Sequence, residues 1–488
     1  MNLYKPAFES LTAYECPKWY RDAKFGIWSH WGPQSVPMCG DWYARYMYIE
    51  GSTQYRHHLR QYGHPSKFGY KDICRLWQAE KFDPAGLMSL YKKAGARFFV
   101  AQAMHHDHFF NYPSQYNRFN SVNVGPGKDI CGLWKEAADR EGLPFGLSEH
   151  LGASYTWWKV NKGADTAGPY AGVPYDGNDP AYRDFYFDHS QHMENKPARP
   201  GALIWYTSNK KFHEYWLSVM KELIDCFRPD LLYTDGCLPF GERNVSLPGD
   251  PVFTCGLEAV AYLYNTSVRL HGENRAVYTQ KDKRSEIYRV GVLDIERSQL
   301  PDISPDPWQT DTCIGGWFYD LRQAYKKPGH IIEILVDVVA KNGCLLLNIL
   351  QRPDGSIDDE TAWILEELAG WFAICGKAIY ATRPWRVLGE GESRVVIDQF
   401  KEDKVAWTSS DFRFTAKGDT IYAFMMQAPE NRVAVIKSLT EEEKVVAVKL
   451  LGAGECQFEQ SFGVLTVRLP EKLPTPYINC LAIKLARP

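Results

Sequence analysis

Short apolar runs rich in β-forming residues alternate with segments of helical periodicity through most of the chain. This alternation constrains the fold more than any other feature, because it is typical of parallel strands joined by helical crossovers. The predicted strands are Phe25–His30, Phe98–Met104, Pro144–Ser148, Leu231–Thr234, Ala276–Gln280, Val290–Glu296 and Cys344–Leu350. Seven strands over about three hundred residues favour a closed barrel over an open doubly wound sheet. No glycine-rich phosphate loop follows the first strand, which weakens the dinucleotide-binding alternative.

Helix signals separate several of these strands, and the pattern changes near the C-terminus. Helices are predicted from Asp83-Pro84 to Lys93, at Lys211–Phe227, at His330–Lys341 and at Asp359–Cys375. The later segments are short and alternating: Arg394–Asp398, Thr420–Met426, Val433–Lys437, Val445–Leu450, Val464–Leu469 and Cys480–Leu485. We therefore predict an α/β fold with a (β/α)8-like (TIM) barrel in residues 1–385 and a C-terminal antiparallel β-sandwich in residues 386–488.

Charge and composition limit the classes of partner. The net charge is −3, with acidic and basic residues nearly balanced, so we predict binding to neither nucleic acid nor a membrane. The 16 Trp and 29 Tyr suit stacking on sugar rings, although aromatic residues also fill cores. The 12 cysteines stand singly, which indicates reduced thiols. No leader or membrane span is recognisable, which predicts a cytoplasmic protein, or a secreted or periplasmic one if a leader has been removed.

Polar residues follow most of the predicted strands. In a (β/α) barrel, reactive groups lie at the carboxyl ends of the strands. The residues in question are His30, His105, His106, His108, Glu149, His150, Asp235, Lys281, Asp294 and Glu296. Each has a structural interpretation alone, since a histidine after a strand is commonly a hydrogen-bonded structural residue and Asp-Gly is a turn signal. Their shared position at one rim favours an active site.

Asp235 and Glu296 are carboxyl groups on two strands that face one mouth, which is the arrangement that glycoside hydrolysis requires. Asp294 and Glu296 are two residues apart on a strand and point to the same side. Glu296 is nearer the carboxyl end and is better placed to meet a substrate, with Asp294 supporting it from below. Glu149 and Glu286 are the next candidates for the proton donor.

The His106-x-His108 pair offers an alternative, a metal site of the kind that opens metal-dependent amidohydrolase barrels. Those enzymes carry the pair on the first strand and add histidines on later strands. In this chain a strand precedes the pair, and His271 and His330 are the only histidines beyond residue 213. We therefore predict no metal and no cofactor.

Five motifs of this chain are distinctive. The first is KFGIWSHWGPQSVP, followed by Asp41-Trp42-Tyr43, and the second is the double-histidine segment MHHDHFFNYPSQYNRFNSV. The third is RPDLLYTDG, and the last two are KNGCLLLNILQRPDGSI and GKAIYATRPW. In this order they resemble the opening signature, double-histidine segment, nucleophile strand, last barrel strand and barrel exit of the α-L-fucosidases, glycoside hydrolase family twenty-nine. The motifs cover the predicted barrel from end to end.

The resemblance implies an exo-acting, retaining α-L-fucosidase whose partner is a fucosylated oligosaccharide or glycoconjugate. It makes Asp235 the nucleophile, and strand placement makes Glu296 the acid/base. It assigns the hydroxyls of fucose to His30, Trp42, His105 and His106. Trp28 and Trp317 would line the pocket for the C6 methyl group. A metal-dependent barrel hydrolase and a catalytically silent fucose-binding protein remain the alternatives.

The chain departs from the family's pattern at several positions. Asp41-Trp42 stands where the family usually has Glu-Trp, and Tyr233-Thr234 stands where an aromatic pair is usual. Gln309 replaces a glutamate that many members carry. A frequent arginine is not matched, and Lys281 is its predicted substitute. Asp41, Tyr233 and Lys281 are therefore included in the predicted substrate-binding set.

The stretch Tyr155–Asn209 is rich in glycine, proline and aromatic residues and has little periodicity. Loops of this length in compact domains are commonly lids or binding loops. We predict that it folds over the barrel mouth and meets the sugar beyond fucose. Trp157, Trp158, Tyr170 and Tyr175 are the candidates for that platform, with packing in the core as the alternative for each.

Overall fold

The computed structural model describes residues 3–190, 192, 203–240, 254–398, 400–402 and 404–486. Eight parallel strands form a closed barrel in sequence order, and the last strand pairs with the first. They are β1 (Phe25–Ser29), β2 (Phe99–Met104), β3 (Phe145–Glu149), β4 (Leu231–Thr234), β5 (Val277–Gln280), β6 (Val292–Asp294), β7 (Trp308–Cys313) and β8 (Gly343–Asn348). The predicted TIM-like barrel is confirmed.

The strand β7 was missed by the sequence analysis, and its composition explains why. Its residues are Trp-Gln-Thr-Asp-Thr-Cys, and all six are buried. A strand that carries Gln309 and Asp311 inside the barrel does not produce an apolar run, so hydrophobicity does not reveal it. The polar interior of β7 becomes part of the candidate site described below.

Helices surround the barrel. They are α1 (Phe8–Leu11), α2 (Lys18–Ala23), α3 (Tyr43–Tyr46), α4 (Thr53–Gln61), α5 (Tyr70–Leu76), α6 (Pro84–Lys93), α7 (Ile130–Glu141), α8 (Ser154–Trp157), α9 (Arg183–Tyr186), α10 (Lys210–Phe227), α11 (Thr254–His271), α12 (Ser285–Tyr288), α13 (Pro328–Ala340) and α14 (Asp359–Cys375). Side-chain caps account for several starts. Asp83 accepts a hydrogen bond from Gly86 at the start of α6, and Asp358 accepts one from Thr361 at the start of α14. Within the described residues, no helix is both long and apolar enough to cross a bilayer.

Large side chains fill the barrel interior below the mouth. Trp28, Phe98, Val100, Tyr233 and Leu346 belong to one buried cluster contributed by several strands. Gly26 on β1 leaves room for this packing, because a Cβ atom there would lie 2.3 Å from the ring of Phe98. The interior is therefore a packed core rather than a pore.

The C-terminal region forms two antiparallel sheets. One has the order β14-β13-β17-β11-β10-β9 and the other has the order β12-β16-β15. The strands are β9 (Arg383–Glu390), β10 (Phe412–Lys417), β11 (Thr420–Met425), β12 (Val433–Ile436), β13 (Val445–Leu450), β14 (Gly454–Glu455), β15 (Phe458–Ser461), β16 (Val464–Arg468) and β17 (Asn479–Leu485). Both sheets contribute side chains to one apolar core, so the predicted sandwich is confirmed.

The strand predicted at Arg394–Asp398 is wrong. This segment is irregular, and Val396 and Ile397 are 56% and 43% exposed. Its alternating sequence has no partner strand, and Ser393 is instead held by hydrogen bonds to Asp411. The C-terminal sheet begins at Arg383 of β9, and the domain boundary at residue 385 stays a prediction.

Candidate active site

The ends of the barrel strands hold the predicted catalytic residues by backbone hydrogen bonds that continue beyond the strands. The amide of Asp235 donates to the carbonyl of Glu149 at 3.0 Å, and the amide of Lys281 donates to the carbonyl of Gly236 at 2.6 Å. On the far side, the amide of Ile295 donates to the carbonyl of Gln309 at 3.0 Å. These bonds place the residues that follow β4, β5 and β6 at one rim.

Asp235 lies at the centre of this rim. Its Oδ2 atom is 3.0 Å from Nε2 of His106 and 3.1 Å from Nδ1 of His150. Its Oδ1 atom is 3.0 Å from Nζ of Lys281. The side chain is 14% exposed, so a ligand can reach it although most of its surface is buried. Three nitrogen donors therefore fix both oxygens of one accessible carboxylate.

Lys281 joins Asp235 to three other carboxyl groups. Its Nζ atom is 2.7 Å from Oε2 of Glu296 and 3.5 Å from Oδ2 of Asp311. Asp294 is farther, at 3.9 Å, and its Oδ1 atom accepts a hydrogen bond from Gln309 at 2.8 Å. We call these four carboxyl groups and Lys281 the lysine cluster. Four carboxyl groups around one ammonium repel one another, so they do not all ionise readily.

The pKa values of Asp235 and Glu296 shift in opposite directions. Burial alone would raise the pKa of Asp235, but the charge of Lys281 and the hydrogen bonds from His150 and His106 hold it well below its ordinary value. Burial raises the pKa of Glu296, and the charges of Asp311 and Asp235 add to this against the opposing effect of Lys281. The site therefore separates the two pKa values, so that Asp235 ionises more readily than Glu296, as in pairs of carboxyl groups with different catalytic roles.

Three histidines line the opposite side of the rim. Burial, strengthened by the neighbouring histidines, lowers the pKa of His30 and of His105 well below the ordinary value. Burial also lowers the pKa of His150 to about 4. Gln34 donates to Nδ1 of His105 at 2.7 Å, which leaves the proton of the neutral ring on Nε2. These rings are neutral hydrogen-bonding groups at neutral pH.

His30 carries the clearest unused bonding capacity in the site. Within the described part of the chain, neither of its buried ring nitrogens has a hydrogen-bond partner, and Nε2 of His150 has none. Their rings lie 5.1 Å apart. Because buried polar atoms in native proteins are normally paired, these nitrogens indicate a place for a polar ligand.

An aromatic wall adjoins His30. The ring of Trp28 lies 5.5 Å from that of Trp317 and 4.9 Å from that of Tyr233. Trp28 is 1% exposed and donates to Ser148, whereas Trp317 is half-buried. The hydroxyl of Tyr233 donates to Asp311 at 2.7 Å and is therefore turned toward the lysine cluster. The wall presents apolar surface next to the unpaired nitrogens.

Trp42 and Asp41 approach the rim from the loop after β1. The Trp42 backbone is left-handed, with φ of 54°, which is uncommon for an aromatic residue and is a form of strain that occurs at functional sites. The amide of Trp42 donates to Oδ1 of Asp41 at 2.7 Å, and the Trp42 ring lies 5.9 Å from that of His106. Burial raises the pKa of Asp41 to about 7.

The structure does not assemble the His106 and His108 pair. Nδ1 of His108 donates to the carbonyl of Phe185 at 2.9 Å, and Nε2 lies 2.7 Å from the hydroxyl of Tyr215. His105, His106 and His150 form a closer group, with ligand atoms within 4.8 Å of one another. Both nitrogens of His106 already lie against oxygens, however, since Nδ1 is 2.7 Å from the carbonyl of His150. A metal in this group would have to displace those contacts.

The alternative proton donors lie elsewhere. Glu149 is fully buried, and its Oε2 atom accepts hydrogen bonds from Leu151 at 2.9 Å and from Trp216 of α10 at 3.2 Å. Glu286 is exposed on α12. Asp311 was missed because β7 was missed, yet it is the carboxyl group that adjoins both Lys281 and Tyr233.

Trp205 is a further residue of the mouth that the sequence analysis missed. Its Nε1 atom donates to the carbonyl of Asp235 at 3.3 Å, and its ring lies 4.9 Å from that of His106. Gly236 makes this approach possible, because a Cβ atom there would lie 2.6 Å from Nε1 of Trp205. Trp205 belongs to the predicted loop Tyr155–Asn209, and its aromatic character was the only available signal.

The aromatic residues that were singled out in this loop have packing roles. Trp157 and Trp158 are fully buried, and Tyr175 donates to Asp165 at 2.6 Å. Tyr170 stacks on His64 with centroids 4.1 Å apart. Trp157, Trp158 and Tyr175 are buried, so the prediction that they form an open platform is wrong. Tyr170 is 39% exposed, and its contribution to a platform stays a prediction. Residues 191 and 193–202 of the loop lie outside the described residues.

The chain matches protein-family profiles and curated proteins along most of its length. A family profile described as Alpha-L-fucosidase matches residues 1–377, and one described as Alpha-L-fucosidase C-terminal domain matches residues 404–484. The tissue alpha-L-fucosidase of Rattus norvegicus is 26% identical over 496 residues, which cover 99% of this chain and 93% of that protein. That of Homo sapiens is 26% identical over 482 residues, which cover 97% and 89%.

A solved structure extends the likeness to the whole fold. The structure of the Thermotoga maritima alpha-fucosidase in complex with fucose has a TM-score of 0.74 and 25% sequence identity. The match covers 98% of this chain and 100% of that chain. Both the barrel and the C-terminal sheets therefore have counterparts in one solved protein.

Proposed function

The chain belongs to the α-L-fucosidases, a family of glycoside hydrolases, and on this premise we propose that it releases terminal L-fucose from fucosylated glycans with retention of configuration. The single observation that carries the proposal is the pair formed by Asp235 and Glu296. Lys281 and two histidines lower the pKa of Asp235, burial raises the pKa of Glu296, and the two carboxyl groups lie on either side of Lys281. This is the pairing that a double displacement requires.

In the first step, an oxygen of Asp235 attacks the anomeric carbon, and the bond from that carbon to the leaving oxygen breaks. Glu296 gives its proton to the leaving oxygen, and the product is a fucosyl ester of Asp235. In the second step, Glu296 takes a proton from a water molecule whose oxygen attacks the anomeric carbon. The ester bond breaks, fucose leaves, and both carboxyl groups return to their first states.

The separation of the two carboxyl groups supports retention. Oδ1 of Asp235 and Oε2 of Glu296 are 3.0 Å and 2.7 Å from the same Nζ atom, so these two oxygens are at most about 5.7 Å apart. Retaining enzymes separate their carboxyl groups by roughly 5–5.5 Å, whereas inverting enzymes leave about 6.5–9.5 Å for a water molecule. The upper limit of about 5.7 Å supports the retaining arrangement, in which the two carboxyl groups are the closer pair.

The remaining predicted residues suit a 6-deoxy sugar. The unpaired nitrogens of His30 would bond to ring hydroxyls, together with His105 and Trp42. His106 would do so in place of one of its present contacts with Asp235 and the carbonyl of His150. The wall of Trp28 and Trp317 would cover the C6 methyl group, which has no hydrogen bond to make. Lys281 and Tyr233, predicted as substrate-binding residues, contact the lysine cluster and would also set the charge and orientation of the catalytic pair. Asp41, which is bonded to the amide of Trp42, would bind the sugar hydroxyls beside Trp42.

Hydrolysis of an aryl α-L-fucoside, followed by proton NMR, tests the proposal directly. The first fucose released should be the α anomer, which then mutarotates. Fucosylated oligosaccharides assayed beside it would define the natural linkage. Release of the β anomer first would replace retention by inversion. Binding of fucose without turnover would identify a silent sugar-binding protein instead.

A further inference from the structure

Glu402 belongs to the segment between β9 and β10, yet its carboxylate is buried against the barrel rim. Its Oε2 atom accepts a hydrogen bond from Nε of Arg297 at 2.9 Å and lies 3.0 Å from Nζ of Lys326. The side chain is only 8% exposed. Its backbone carbonyl lies 2.9 Å from Nε2 of His330, at the start of α13. Both the backbone and the side chain of Glu402 are therefore attached to the barrel.

Arg297 links this contact to Glu296, which it directly follows in the chain. The amide of Arg297 donates to the carbonyl of Asp311 at 2.9 Å. The Arg297 backbone is left-handed, with φ of 44°, a conformation disfavoured for residues with a side chain. The turn after β6 thus depends on contacts that hold Arg297, and the ion pair with Glu402 is one of them.

Lys326 links the same carboxylate to β7. Its Nζ atom donates to the carbonyl of Cys313 at 2.7 Å and lies 3.3 Å from the hydroxyl of Thr312. Burial alone would raise the pKa of Glu402, but Lys326 and Arg297 hold it below its ordinary value, so the carboxylate is charged at neutral pH. One anion from the C-terminal region therefore joins the ends of the two strands that carry Glu296 and Asp311.

The turn has space into which it could move. Glu402 lines a small cavity together with Ser298, Gln299 and Thr310, directly behind the turn that follows Glu296. Loss of the Glu402 charge would leave Arg297 and Lys326 facing each other without an anion between them. Because like charges repel, the turn would be pushed out of its present position.

We propose that Glu402 is a positioning residue for the acid/base: through Arg297 it holds the turn after β6, so that the Glu296 carboxyl group stays beside Lys281 and meets the leaving oxygen. This inference rests on the role proposed above for Glu296. The inference goes beyond that role, because it gives the C-terminal region, to which Glu402 belongs, a contribution to catalysis in the barrel. The nucleophile, held by separate contacts with His106 and His150, should not depend on Glu402.

The test uses the full chain with Glu402→Gln, which removes the charge and keeps the shape. The control is Glu443→Gln, which breaks a 3.1 Å ion pair with Arg386 inside the C-terminal region. Both variants are assayed on an alkyl α-L-fucoside, whose leaving group needs a proton, and on a dinitrophenyl α-L-fucoside, whose leaving group does not. Glu402→Gln should lose about tenfold in kcat/KM on the alkyl substrate and less than about twofold on the dinitrophenyl substrate. Glu443→Gln should change neither.

Glu296→Ala, assayed on the same pair of substrates, separates the inference from its premise. If Glu296→Ala discriminates strongly between the substrates and Glu402→Gln does not, the inference is wrong and the acid/base assignment stands. If Glu296→Ala loses equally on both substrates, the assignment fails and the inference fails with it. Should Glu402→Gln not fold, Arg297→Lys makes the same test, because it keeps the charge and loses the guanidinium geometry. Equal losses on both substrates in Arg297→Lys would also overturn the inference.

Discussion

The half of the barrel mouth after β1 to β3 and the half after β5 to β7 bury polar groups in different ways. The first half holds His30, His105 and His150, which burial keeps neutral. The second half holds the lysine cluster, in which three carboxyl groups have raised pKa values and Asp235 alone has a lowered one. Neutral hydrogen-bond donors and acceptors suit the hydroxyls of a sugar, whereas carboxyl groups with different pKa values suit proton transfer.

Asp235 lies where the two halves meet, so the comparison predicts the largest effect there. Asp235→Ala should reduce kcat/KM by at least about 10⁴-fold on every fucoside, because both steps use this carboxylate. Asp230→Asn is the matched control. Asp230 lies just before β4, at the other end of the same strand, and accepts a hydrogen bond from Phe145 at 2.9 Å. It should lose some stability and keep its activity. Near-normal rates in Asp235→Ala would end the proposal.

Substitution of Glu296 tests whether the half of the mouth after β5 to β7 supplies the proton for the leaving group. Glu296→Ala should lose about 10²- to 10⁴-fold on substrates with poor leaving groups and far less on activated aryl fucosides. Azide should partly restore the slow second step and give an α-fucosyl azide, since it needs no base to attack the ester on Asp235 and inverts the anomeric carbon a second time, as water does. An azide product of β configuration would contradict the ester on Asp235, and no rescue with an activated substrate would assign the acid/base role to another carboxyl group.

Lys281 tests the electrostatic difference between the halves. Its charge lowers the pKa of Asp235 and opposes the increase in the pKa of Glu296. Wild-type kcat/KM should fall at low pH as Asp235 protonates, and at high pH as Glu296 deprotonates. Lys281→Met should raise both pKa values, so both limbs of the profile should move to higher pH, with a loss of about 10²-fold at the optimum.

Lys281→Arg is the control for this prediction, because it keeps the positive charge at this position. Its pH limbs should stay close to those of the wild type. If Lys281→Met shifted either limb to lower pH, the ammonium would not be the group that sets these two pKa values.

The difference between the halves also explains how much the sequence alone could predict. His30, Asp235 and Lys281 follow apolar strands, so pattern and position were enough to find them. Asp311 lies within a strand whose inward side chains are polar, and hydrophobicity does not reveal such a strand. Trp205 and Glu402 come from irregular segments, and they reach the rim through contacts distant in sequence. Contacts of that kind leave no local periodicity to recognise.

His30 and His108 offer a smaller test within the first half. His30→Asn should raise the inhibition constant for fucose about tenfold, because it removes the buried ring nitrogens that would bond to a fucose hydroxyl. His108 is equally buried but has partners on both nitrogens, Phe185 and Tyr215. His108→Asn should therefore lower the melting temperature and leave the inhibition constant unchanged in the folded fraction. If His108→Asn raised the inhibition constant and His30→Asn only lowered the melting temperature, His108 would be the binding residue and His30 the structural one.

The smallest expected effect is that of removing metals, which tests whether the first half of the mouth binds a sugar or a metal. His105, His106 and His150 are close enough to hold an ion, but Asp235 and the carbonyl of His150 already occupy both nitrogens of His106. Prolonged treatment with a chelator should therefore leave kcat/KM unchanged. Added Zn²⁺ should inhibit rather than activate, in competition with fucose, because it would take Asp235 and the histidines away from the substrate. Activity that a chelator removes and zinc restores would instead make these histidines ligands of a catalytic metal.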